Sequence, residues 1–269
     1  MDKRYLKIYS SQNDYNNNWL NDLEVPHVVY IEETDEVIFK DAEPKVDYST
    51  QYFTLEALEN GTMEIAMPNS FSSFKYAHND GDWIQSNNAI SLNVNTNDTV
   101  KIACVTDSYN SPFNCTCKFN VHGNVMSLLY GDDFIGQTNL GKDYCLSRLF
   151  YANTNLISAE NLVLPATMLA ESCYNEMFRS CTSLTTAPEL PATTLYSECY
   201  NNMFNGCSKL NKITMLATDI SANSCLYNWV NGVASSGTFI KNVNMTSLPT
   251  ATSSNYYEGI PEGWTVETA

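Results

Sequence analysis

The chemically versatile residues of this 269-residue chain are nine cysteines and three histidines. Four of the thiols fall in a duplicated string, Cys-Tyr-Asn-x-Met-Phe-x-x-Cys-x-x-Leu, at 173–184 and again at 199–210. Regularly spaced thiols can ligate a metal, form a redox disulfide or act as nucleophiles. A nucleophilic thiol needs a base beside it, and His27, His78 and His122 all lie outside the duplicated string. The segment "CTCKFNVHG" (115–123) gathers two thiols and an imidazole, a zinc-like composition. Drawn as a strand, it sends Cys115, Cys117, Phe119 and Val121 to one face and His122 to the other, so the three cannot meet on one ion and the pattern reads as a buried strand face. The segment "GQTNLGKD" (136–143) follows G-x-x-x-x-G-K and then breaks: Asp143 stands where a phosphate-binding loop needs the hydroxyl that holds magnesium. The carboxylates from Glu32 to Glu36 lack the ligand order and glycine of a calcium loop and read as a solvated hairpin tip. The expectation is therefore a protein without a catalytic site, a metal or a cofactor, whose thiols fill space.

Composition narrows the partners. The chain carries 14 Lys+Arg against 30 Asp+Glu, a formal charge of −16. Residues 1–144 hold 9 basic and 21 acidic side chains, and 145–269 hold 5 and 9, so neither half offers the positive face that nucleic acid requires. Apolar residues at 43% and 17 tyrosines mark a packed protein, not a solvated tail. The first twenty residues show no apolar run of roughly 7–15 behind their charges, and no window of about 18 apolar residues occurs anywhere. The expectation is synthesis in a cytoplasm, no membrane insertion, and free buried thiols in place of a disulfide framework.

Three textures divide the chain. Residues 1–48 begin with the strand-like "YLKIY", cross a polar segment with a short helix expected from Ser10 or Ser11, and end in the β-rich runs "HVVYI" and "EVIF". Residues 49–125 alternate apolar and polar positions in short runs, with turn residues such as Asn60-Gly61 and Asn79-Asp80-Gly81 about every ten residues, the pattern of a β-sandwich. Residues 126–269 repeat. Cys145, Cys173, Cys199 and Cys225 open successive units, spaced 28, 26 and 26 residues apart. Four and five places on come Leu149-Phe150, Met177-Phe178, Met203-Phe204 and Trp229-Val230, and eight places on come Asn153, Cys181, Cys207 and Val233. A period of 20–29 residues with fixed apolar columns is that of a leucine-rich-repeat solenoid. In one coil "LTTAPEL" fits a short strand, and "SECYNNMF" fits about two helical turns with Cys, Met and Phe inward and Asn, Glu and Tyr outward. The expected fold is mainly β with short helices: a small α/β anchor, a β-sandwich, then a short solenoid with a C-terminal cap.

The repeat "CYNxMFxxCxxLxxAPELPATTL", with "WVNGVASSGTFIKN" and the ending "GIPEGWTVETA", resembles BspA-type leucine-rich repeat proteins, in the version found in virion proteins of crAss-like and other Bacteroidales phages. The start "YSSQNDYNNNWLNDLEVPHVVYIEETDEVIF" is similar, more loosely, to an N-terminal segment of structural proteins of such phages. The resemblance implies a non-enzymatic head fibre or capsid decoration subunit on the virion surface, a dimer or trimer, docked on capsid or other virion proteins through residues 1–48. His27, Val28, Val29, Tyr30, Val37, Ile38 and Phe39 would form the anchor. The repeat domain would adhere to a host glycan, mucin or surface protein, with Tyr174, Tyr200 and Tyr227, one or two places past an opening Cys, as exposed rings for sugar stacking. The alternatives are a bacterial cell-surface or secreted adhesin of the same repeat type and a glycan-degrading fibre enzyme.

Overall fold

A computed structural model describes residues 5–9, 27–31, 36–40 and 46–269, the first three of these segments as backbone strands. The chain divides into two compact units, Met1–Asp47 and Tyr48–Ala269. In the first, strands β1 (Tyr5–Tyr9), β2 (His27–Ile31) and β3 (Glu36–Lys40) form a sheet with β2 in the middle. The runs "HVVYI" and "EVIFK" pair antiparallel, with Val28 opposite Phe39, Val29 opposite Ile38 and Tyr30 opposite Val37, while β1 runs parallel to β2. All seven expected anchor residues thus lie on two adjacent strands. The helix expected from Ser10 or Ser11 and the tip residues 32–35 lie outside the described residues, and Glu36 opens β3.

The second unit is mainly β, with a single short helix among the described residues. Its antiparallel part comprises β4 (Phe53–Ala57), β5 (Gly61–Ile65), β6 (Ser73–His78), β7 (Ile84–Gln85), β8 (Ile90–Val94), β9 (Thr99–Val105), β10 (Phe113–Cys115) and β11 (Phe119–Asn124), followed by α1 (Ser127–Tyr130). Five further strands continue the chain: β12 (Leu156–Val163), β13 (Thr186–Leu190), β14 (Lys212–Met215), β15 (Thr238–Lys241) and, after the small pair β16 (Thr250–Ala251) and β17 (Ile260–Pro261), β18 (Thr265–Thr268). One mixed sheet of ten strands runs in the order β18-β15-β14-β13-β12-β11-β4-β9-β6-β7, and a three-stranded sheet, β10-β5-β8, packs on its antiparallel end. The two faces meet through rings such as Phe53 and Phe113, stacked with centroids 5.0 Å apart.

The expected boundary between sandwich and repeat, at 125/126, is not a boundary. Strand β11 pairs antiparallel with β4 on one side and parallel with β12 on the other. Its alternation explains the double role: Phe119 and Val121 are buried in the core, and Asn120 and His122 are half-buried on the opposite face. With both edges of β11 consumed, the antiparallel and parallel parts share one sheet and one core.

The parallel strands contribute one element per repeat, and the segments between them replace the expected helices. In 172–181 the even residues Ser172, Tyr174, Glu176, Phe178 and Ser180 donate their N–H groups to the carbonyls of Ser197, Cys199, Asn201, Met203 and Asn205 in the next layer. The odd residues Cys173, Asn175, Met177, Arg179 and Cys181 donate three places back within their own layer. The same alternation holds for 198–207, whose even residues reach Asn223, Cys225, Tyr227, Trp229 and Asn231. An α-helix would take every N–H four places back. Here the layer alongside offers half the acceptors, so a ribbon of consecutive turns satisfies the backbone without a helix.

That ribbon demands a left-handed residue at every fourth position. Tyr144, Arg148 and Ala152 have φ of 56–60°, and the positions continue through Ser172, Glu176 and Ser180, then Glu198, Asn202 and Gly206, then Ser224, Asn228 and Gly232. The pairs between them, Cys173-Tyr174 and Met177-Phe178, both turn inward, as do Cys199-Tyr200 and Met203-Phe204. Rings therefore stack through the layers: Phe150 on Phe178 at 5.3 Å, Phe178 on Phe204 at 5.6 Å, Phe204 against Trp229 at 6.2 Å. Each such contact contributes about 0.5–1.5 kcal/mol beyond its area.

The ribbon and the helix differ in what they allow at Asn228, whose φ is 53°. In a helix Asn and Val are nearly equivalent, but a β-branched side chain is strained in the left-handed region. Asn228→Val should lower the unfolding free energy by about 1–3 kcal/mol, and Asn228→Gly should change it by a few tenths, in urea unfolding followed by circular dichroism. Equal stability of the valine variant and the parent contradicts the ribbon.

Candidate functional site

The thiols come first, because the sequence puts them forward. All nine are free and buried. Cys145, Cys173, Cys199 and Cys225 form one column and Cys181 and Cys207 the second, between Asn153 at one end and Val233 at the other. The second column makes a repeated hydrogen bond across layers. Asn153 Nδ2 donates to the Phe113 carbonyl at 3.1 Å, Cys181 Sγ to the Phe150 carbonyl at 3.0 Å and Cys207 Sγ to the Phe178 carbonyl at 2.9 Å. Burial pushes Cys145, Cys199 and Cys207 up to about 12 and Cys225 to about 11, and it holds Cys173 and Cys181 well above the ordinary thiol value. A thiol held protonated and donating to a carbonyl is neither nucleophile nor ligand.

Cys115 and Cys117 are buried as well, and burial raises both, with their coulombic neighbours adding to it. His122 stands on the other face of β11, its ring 5.2 Å from that of Tyr48, and its desolvation lowers its pKa. Among the described residues no group of three or more His, Cys, Asp or Glu is placed to hold a metal. Asp143, the residue that breaks the phosphate-loop pattern, accepts the backbone N–H of Glu171 at 3.2 Å and so ties one layer to the next.

The tyrosine expectation is overturned at two of its three positions. Tyr174 and Tyr200 are 1% exposed and stack on each other inside the layers at 6.1 Å. They face inward because the turn ribbon buries both members of each pair, where a helix would have turned the second outward. Tyr227 is half-buried against Tyr256 at 5.3 Å. The rings on the surface belong to other columns. Tyr151 lies under the guanidinium groups of Arg148 and Arg179, both of which clamp the buried carboxylate of Glu176, Arg148 Nε at 2.5 Å. That cluster is structural, since a buried carboxylate requires such partners.

A cleft of about 740 Å³ lies beside the end of β9. Four separate segments build it: 69–72, 105–110, 129–130 and 141–145. Its walls are fastened by main-chain bonds. Ser72 N–H donates to the Val105 carbonyl at 2.8 Å, Thr106 N–H to Leu129 at 3.0 Å and Tyr109 N–H to Cys145 at 2.7 Å. Thr106 Oγ1 donates to the Ser70 carbonyl at 2.5 Å and accepts the Ser108 N–H at 3.2 Å, locking two loops together. Gly141 and Lys142 of the broken phosphate-loop pattern line this cleft, and that half-pattern was its single trace in the sequence. The other segments carry no motif, because the residues meet through sheet pairing and not through spacing. Compared with family models, curated proteins and solved structures, the chain finds no match in any of the three.

The buried columns predict a reactivity pattern. In native protein at pH 8 a thiol-specific disulfide reagent should label none of the six columnar cysteines within an hour, and in guanidinium it should label all of them. Rapid native labelling of Cys181 or Cys207, located by peptide mass mapping, would show an accessible thiolate and refute the filler role.

Proposed function

We propose that the chain is a virion structural protein, a head fibre or capsid decoration subunit of a phage, that docks through its first unit and displays its second for adhesion to a host surface. The observation that carries this reading is the division at Asp47/Tyr48. A small sheet and a large layered body on one chain suit a part that attaches and a part that projects. The order β1-β2-β3 leaves β1 and β3 with one partner each among the described residues, and an edge of that kind can accept a strand from a neighbouring protein. Three of the seven anchor residues, Val37, Ile38 and Phe39, lie on the edge strand β3, where such pairing would use them, while His27, Val28, Val29 and Tyr30 lie on the central strand β2, already paired on both sides. Sister copies joined in this way would make the dimer or trimer expected of a fibre.

The reading of residues 126–269 as a BspA-type leucine-rich-repeat solenoid belongs to the same proposal. It is supported by the parallel series β12, β13, β14, β15 and β18 and by columns that recur every 26–28 residues. Many copies on one particle would let weak single contacts sum by avidity. No helix among the described residues is long and apolar enough to cross a membrane. The repeats bring inert thiols and stacked rings to their interior, which suits a display scaffold.

Removing Met1–Asp47 tests the division of labour. The remainder, which begins at Tyr48 and keeps its ring contact with His122, should show one cooperative unfolding transition. It should be missing from particles assembled in its presence, as read by mass spectrometry of gradient-purified virions. Full occupancy by the truncated chain refutes the docking role of the first unit.

A further inference from the structure

We infer that the cleft beside β9 is a binding site for a neutral saccharide. The inference deepens the adhesion reading and rests on it. A volume of about 740 Å³ lies within the range of small-molecule clefts, about 300–1,000 Å³. Four of its polar side chains are unspent. The side chains of Asn69, Asp107, Asn110 and Lys142 line it and make no hydrogen bond or ion pair within the protein. Together they offer carbonyl and carboxylate acceptors beside amide and ammonium donors, the mixed set that vicinal hydroxyls, each both donor and acceptor, can satisfy.

Two aromatic rings complete the lining. Phe71 is half-exposed and anchored edge-on to the buried Phe74 at 6.5 Å. Tyr130 is half-exposed with its hydroxyl donated to the Asn139 carbonyl at 3.0 Å, so what it offers the cleft is ring surface. Rings already fixed by the protein lose little entropy on meeting the apolar face of a sugar.

Other ligand classes fit less well. One ammonium and one carboxylate line the cleft, so its charge is balanced, and a chain of −16 repels an anion such as a phosphate or a uronate. A peptide bound by strand addition needs a strand with free main-chain groups, and the end of the one strand that reaches the cleft, β9, is taken: Val105 O by Ser72 and Thr106 N by Leu129, with Val105 also bridged to Tyr130. Hydrolysis of a glycoside takes a pair of carboxyl groups, and Asp107 stands alone in the lining. The site binds and does not cleave.

The test uses the full chain and the methyl glycosides of galactose, mannose, glucose, fucose and N-acetylglucosamine, with methyl α-sialoside as the anionic comparison, in saturation-transfer and chemical-shift titrations. At least one neutral glycoside should bind with a Kd on the order of millimolar, shifting resonances of Phe71 and Asn110. Asp107→Ala should weaken that binding at least about tenfold, the loss of a charge-assisted hydrogen bond, and Asn110→Ala should weaken it as well with the fold unchanged. Failure of every neutral glycoside at about 20 mM, far above the millimolar range, overturns the inference, and so does binding of the sialoside alone. Undiminished binding by both variants overturns the assignment to this cleft while leaving adhesion standing. Particle incorporation is read separately, and its loss would count against the virion reading and not against the cleft.

Discussion

Everything in the second unit depends on how the turn ribbons share their backbone hydrogen bonds. Alternate N–H groups point to the neighbouring layer and the rest close turns within their own. Neither set would suffice alone, because buried backbone groups must all find partners. A single layer would leave half of its donors unpaired, so stability is a property of the stack and not of a repeat. The left-handed residues at every fourth position follow from the same requirement. Asn202, Asn228, Gly206 and Gly232 supply residue types that tolerate it, while Arg148, Glu176 and Glu198 endure it.

Inside this frame the side chains are chosen for volume and for one leftover acceptor. A carbonyl has two lone pairs, and the backbone N–H of Cys181 uses one of those on Phe178. The Cys207 thiol takes the other, from the layer above. Cysteine is small enough for the gap between layers and still has a weak donor, a combination that alanine and serine each meet only in part. Asn153 does the same work where the column meets β10, and Val233 closes the column without a donor. The aromatic series from Phe53 through Phe150, Phe178 and Phe204 to Trp229 shows that one core runs through both halves of the sheet.

The repeat was legible because its columns are strict. Cys145, Cys173, Cys199 and Cys225 sit where their spacing implies, in the interior, and the alternation in "FNVH" placed Phe119 and Val121 on the buried face and His122 away from it. The conformation of the ribbon was not legible. Cys, Met and Phe at i, i+4 and i+5 suit a helical face and also suit a ribbon whose period is four, and only the position of the tyrosine separates them. Tyr174 and Tyr200 carry that distinction, and a hydroxyl on a ring gives no hint of its side. The continuity through β11 was hidden as well, because an edge consumed by a partner looks in sequence like any other strand. The cleft could not be read from spacing, since Phe71, Asp107, Tyr130 and Lys142 come from four segments that the fold, and no local pattern, assembles.

Strand β11 has one consequence that reaches past packing. It pairs on one edge with β4 through antiparallel bonds and on the other with β12 through parallel ones. Parallel pairing across a long connection is slow to nucleate, since the chain must close a loop before the first contact rewards it. An antiparallel body already folded would turn that difficult first step into simple addition, each layer condensing on a finished edge as ice grows on a seed crystal. Order would then spread in one direction, from β11 outward to β18, and the last layers would be the first to thaw.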